Sequence, residues 1–197
     1  MLWMAFVLAG LMVIPPDALR FELIRSVRQP SSSLSQLLMG RLAATLIVAV
    51  LTAALVQFWA ASNLTGPLMV VFTGVLTATW LWMRFWIRTF IADPNHPPLN
   101  ARAGTVLLST LLSATLWIAV FTQAALLVAW LGASPMLFIG VLVWPLLDAL
   151  LLVWGRGSDR AGRWLVEEGT QKRWGRILGS LLLAVSLWAI WAVLAQG

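Results

Sequence analysis

Long apolar stretches with almost no charge alternate with connectors in this chain. Every second connector is basic, and those between are short and uncharged. A hydrocarbon core about 30 Å thick takes about 20 helical residues to cross. Inside lipid the backbone must satisfy its own hydrogen bonds, which leaves helices or closed barrels. Barrel strands alternate apolar with polar residues, whereas the apolar runs here are continuous. The pattern predicts an all-α chain: a polytopic transmembrane helical bundle of five to six spans with short outer turns and basic cytoplasmic loops. Residues 1–197 are expected to form one integral membrane domain.

Composition supports this. The chain is 61% hydrophobic and 10% charged, whereas a soluble domain carries about 25% charged residues. The net charge of +6 does not point to nucleic acid, because all thirteen Lys and Arg can be assigned to one membrane side. There they orient the chain and meet anionic lipid head groups. Cysteine is absent, which excludes a disulfide framework, a thiolate metal site and a cysteine nucleophile.

The predicted spans cover 1–16, 41–61, 67–91, 104–131, 135–154 and 177–195. The first is short: about 15 residues reach only about 22 Å, and it stops at Pro15-Pro16. It has neither the basic start nor the cleavage site of a signal peptide, so it is expected to be retained. Arg20 follows it, which favours an outside N-terminus, six crossings and an outside C-terminus. If 1–16 does not span, the N-terminus lies inside and five crossings remain.

Two amphipathic segments, 17–29 and 158–175, are expected to lie at the interface. The first carries Leu19, Leu23, Ile24 and Val27 on one stripe. Trp59, Trp130 and Trp191 mark outer ends, and Trp86, Trp154, Trp164 and Trp174 mark inner ends, where indoles favour the interface. Trp80, Trp82, Trp117 and Trp144 lie deeper and are expected to pack between helices. The stretches 67–88 and 135–156 match in length, each running from Pro to Arg, as two tandem hairpins would.

Asp148 is the one acid inside a predicted span. A carboxylate there costs about 2.5–3.5 kcal/mol on insertion scales, so it needs a partner, water or a proton. Arg84 lies at matching depth and is the expected partner. The pair is either a structural ion pair or a candidate intramembrane polar site. Pro145 beside Trp144 can kink the same helix. Gln57, Gln123, Thr73, Thr77, Ser109, Ser113, Thr115 and Thr122 also lie inside spans. Residues of this kind usually bond helices together. His96 is the single histidine, in the loop Asp93-Pro-Asn-His-Pro-Pro98. Metal and haem sites need more convergent ligands than this, so no cofactor and no metal are expected.

The inner segment around 158–176 holds Arg160, Arg163, Trp164, Lys172, Arg173, Trp174 and Arg176. That mixture suits contact with anionic lipid or with a cytoplasmic or membrane partner. The first expectation for function is therefore a non-enzymatic subunit of a larger membrane complex, as scaffold, assembly factor or small permease component. Partners would be membrane lipids and other subunits or further copies of the chain. The alternative is a transporter or channel built on Asp148 and Arg84. A lipid-modifying enzyme using Asp93, His96 or Glu167 is the third reading, weakened by the lack of an acid cluster or second histidine. The short loops suggest a bacterial inner membrane.

Overall fold

The structure, a computed structural model, describes residues 3–14, 34–62, 65–87, 102–157 and 168–195. Among these the chain is entirely helical: α1 (Trp3–Val13), α2 (Leu34–Ala61), α3 (Gly66–Ile87), α4 (Ala103–Leu111), α5 (Ala114–Leu131), α6 (Met136–Gly157) and α7 (Glu168–Leu194). Five of them (α2, α3, α5, α6 and α7) are long and apolar enough to cross a membrane. The chain is a multi-pass membrane protein.

The bundle has a central helix. α5 is apolar on nearly every side, the signature of a helix buried all round, and Val120 and Thr122 to Ala129 are all buried. It packs against α1, α2, α3, α6 and α7. Those five close a ring around it in the order α2, α3, α7, α1, α6, and α6 returns to α2. α4 lies on α2.

Directions follow from side-chain neighbours. Trp86 on α3 meets Arg176 on α7, so those two helices are antiparallel. Gln123 on α5 donates to the carbonyls of Ala5 and Gly140 at 3.4 and 3.1 Å. α1 and α6 thus start at one level, and farther along Gly10 and Val13 line a common pocket with Leu147 and Leu151. They run parallel, so residue 3 lies on the same face as the start of α3 and the turn at 132–135. Arg41, Arg84, Arg102, Lys172, Arg173 and Arg176 all fall toward the other end.

Lipid gives no hydrophobic drive to helix association, so close approach and hydrogen bonds carry it. Gly74 on α3 faces Ala125 and Leu126 so tightly that a Cβ would come within 2.9 Å of Ala125 Cβ. One turn on, the hydroxyls of Thr77 and Thr122 bond at 2.9 Å across the same seam. Gly179 sits against Phe85 and Trp82 where α7 crosses α3. Trp130 and Trp188 join α5 to α7 with centroids 5.4 Å apart.

Several boundaries differ from those the sequence predicts. α2 begins at Leu34, seven residues before Arg41, because nothing after Ser33 interrupts a helix. The stretch 104–131 is not one helix but two, α4 and α5, parted at Leu112-Ser113, where Ser113 has extended ψ 97. α7 runs unbroken from Glu168 to Leu194, so residues 168–175 continue directly into the helix whose apolar span starts at Lys172. The two hairpins are not equivalent either: α5 is central, whereas α2 stands in the ring. Segment 17–29, the 93–98 loop with His96, and Arg160, Arg163, Trp164 and Glu167 lie outside the described residues.

Candidate functional site

The Asp148 carboxylate is fully buried on α6, and its partner is Arg41 on α2. Arg41 Nε donates to Oδ2 at 2.5 Å and Nη2 to Oδ1 at 3.3 Å. Nη1 donates to the Thr110 hydroxyl on α4 at 3.4 Å. Both ionic side chains are about 1% exposed. A fork of this kind satisfies both carboxylate oxygens and three guanidinium nitrogens at once. Three helices are joined by one cation.

The local sequence explains the meeting. Gly40 precedes Arg41, and a Cβ there would collide with the Ala103 carbonyl oxygen. Its absence lets the α4 backbone lie against α2 and brings Thr110 within reach. Thr45, one turn beyond Arg41, turns its hydroxyl back to the Arg41 carbonyl at 3.0 Å. On α6, Trp144 is one turn from Asp148 and so shares its face. It is 1% exposed, and its Nε1 has no hydrogen-bond partner. Pro145 has no N–H to give the Val141 carbonyl.

The break between α4 and α5 lies two residues from Thr110. Its free backbone groups are met locally. Leu112 N–H bonds to the Leu108 carbonyl, Ser113 N–H bonds to that of Thr110, and Trp117 Nε1 donates to the Leu111 carbonyl at 2.8 Å. Ser113 caps α5 by accepting from Leu116 N–H. Trp117→Phe removes the strongest of these side-chain bonds. It is expected to lower the SDS-unfolding midpoint by about 1 kcal/mol; an unchanged midpoint would mean the break is held by its helices alone.

Arg84, the partner expected for Asp148, is elsewhere. It lies on α3, across the bundle from α6, with its guanidinium 5.3 Å from the centroid of the Trp80 ring on its own helix. Arg41 escapes a sequence reading because it looks like the first residue of a span. The available signal was the apolar triplet Leu37-Leu38-Met39 before it, with no breaker after Ser33. An Arg with apolar helix on both sides is inside a span, not at its edge.

The polar residues divide. Gln123 and Thr122 tie helices together, while Thr73, Thr79 and Ser109 bond to carbonyls of their own helix. Trp80, expected to pack inside, is 38% exposed on the outer surface. At the basic end of the bundle Lys172, Arg173, Trp174 and Arg176 are all exposed, and Arg176 stands 5.1 Å from the Trp86 ring. Gln123→Leu removes the bond to α1 at Ala5 together with the bond to α6 at Gly140. It is expected to destabilise by about 0.6 to 1.7 kcal/mol and to raise thiol labelling of a cysteine placed at Ala5. The chain has no other cysteine, so equal labelling in both backgrounds would contradict the tether directly.

Comparisons with family models, with curated proteins and with solved structures find no match to this chain.

Proposed function

We propose that the chain is a non-enzymatic integral membrane subunit of a larger inner-membrane assembly, as scaffold, assembly factor or small permease component. The observation that carries this reading is the sealing of Asp148. Among the described residues Asp148 is the one acid inside a candidate span, and it is buried with both oxygens on Arg41. It is consumed in joining α2, α4 and α6. What remains for contact is the outer surface of the bundle and the basic, aromatic inner end of α7.

Native mass spectrometry of the tagged chain, extracted from its own membrane in mild detergent, tests this. A reproducible heteromer of fixed stoichiometry is expected. A lone monomer, or copies of this chain only, would overturn it.

A second reading is transport, and one observation favours it. Thr110, a partner of the buried Arg41, sits two residues from the break between α4 and α5. Discontinuous helices often build binding sites in transporters. This reading requires Asp148 to leave Arg41 during a cycle. Solute flux in vesicles that persists unchanged in Asp148→Asn would remove it.

A further inference from the structure

Two polar atoms in the middle of the bundle are buried and meet no hydrogen-bond partner among the described residues. They are Nε1 of Trp144 on α6 and Oε1 of Gln123 on α5. The indole nitrogen can only donate and the amide oxygen can only accept. Trp144 is 1% exposed and Gln123 is fully buried, so neither is served by solvent. Buried polar groups are nearly always paired, with protein or with ordered water.

The fold brings the two atoms to one turn of α6. Gly140, Trp144 and Asp148 follow at four-residue intervals and share a face of that helix. Arg41 meets this face at Asp148. Gln123 meets it at Gly140, whose carbonyl accepts from Nε2 at 3.1 Å. Trp144 lies between them. A long side chain on a helix leans back over the preceding turn, which for Trp144 is the turn of Gly140 and Val141. The Gln123 amide cannot reverse there. Its Nε2 donates to the carbonyls of Ala5 and Gly140, and a flipped amide would set Oε1 against both. That turn holds a third group short of a partner: Pro145 lacks the N–H that would serve the Val141 carbonyl.

We propose that a structural water molecule is bound at this turn. It accepts from Trp144 Nε1–H and donates to Gln123 Oε1 and to the Val141 carbonyl. One donor and two acceptors, walled in by buried residues, match a ligand that both accepts and donates. Buried waters make about three such bonds. Ordered water is also one of the means by which a membrane helix accommodates proline. The water ties the central helix to the ring one turn from the Asp148 pair. This inference does not rest on the subunit reading, since the site lies wholly within one chain.

The test uses the full-length chain with isotope-labelled tryptophan in detergent micelles. NMR reads rotating-frame cross-relaxation between each indole N–H and water, which differs in sign from proton exchange. Trp144→Phe identifies the Trp144 resonance by its disappearance. In wild type that resonance is expected to show a direct water contact. Gln123→Met, which keeps the length of the side chain but not the acceptor, is expected to abolish it. Pro145→Ala, which returns a donor to the Val141 carbonyl, is expected to weaken it. The remaining indole resonances show whether each variant is folded. No water contact at Trp144 in wild type would overturn the proposal, as would an unchanged contact in folded Gln123→Met. If Gln123→Met does not fold, Pro145→Ala decides in its place: a weakened contact supports the site and an unchanged one overturns it.

Discussion

Asp148→Asn is expected to cost the bundle about 3–5 kcal/mol, the penalty for leaving a buried charge without its counter-charge. Asparagine keeps the shape but not the negative charge opposite Arg41, whose side chain is 1% exposed. Arg41→Gln should cost a similar amount from the other side. The informative comparison is the double variant Arg41→Met with Asp148→Leu. Replacing a whole buried pair by apolar residues is often neutral or stabilising, so the double variant should recover most of the loss. A double-mutant cycle on SDS-unfolding free energies measures the coupling. If the two single losses simply add, the pair is not an architectural joint. If Asp148→Asn unfolds no more readily than wild type yet alters solute flux, the transport reading takes precedence.

Gly40→Leu should separate α4 from α2. The nearest atoms to a new Cβ are the Ala103 carbonyl oxygen, with Ala103 C and Val106 Cβ at 3.1 Å. None is the far end of a flexible side chain, so no rotamer change relieves the clash and α4 itself must shift. Overpacking of this kind costs about 1–3 kcal/mol. The shift would also draw the Thr110 hydroxyl away from Arg41, since both depend on the same seam. A cysteine at Val106, buried against Gly40, reports the movement: it should resist thiol reagents in wild type and react in Gly40→Leu. Gly104→Ala on the same short helix is the control, because a Cβ there meets nothing within 4 Å. Protection of Val106→Cys in the Gly40→Leu background would show that α4 is not held by this contact.

Class and helix content are legible in the sequence because they depend on one-dimensional quantities, the length of apolar runs and the charge of what joins them. Asp148 stands out for the same reason, as a lone acid in an apolar run. Its partner does not. Arg84 matches Asp148 in depth along the membrane normal, but depth says nothing about position around the ring, and α3 lies across the bundle from α6. Arg41 is concealed by the placing of a helix start. The break at Leu112-Ser113 is equally hidden: it contains neither Pro nor Gly, and Leu, Ser and Thr on either side are compatible with a continuous helix. Trp117 stabilises it from a full turn away.

The ring order fixes when the molecule can be completed during synthesis. α1 leaves the ribosome before the other described helices, yet its neighbours are α5, α6 and α7, the three of these made latest. More than 100 residues separate Ala5 from Gln123, which holds its carbonyl. A short helix that reaches about half of a typical hydrocarbon core therefore spends most of translation without its final contacts. Closure is a late, non-local event, and a nascent chain stopped after α3 would hold α1 without the helices it packs against. Quality control acting on unassembled membrane segments would meet that helix first.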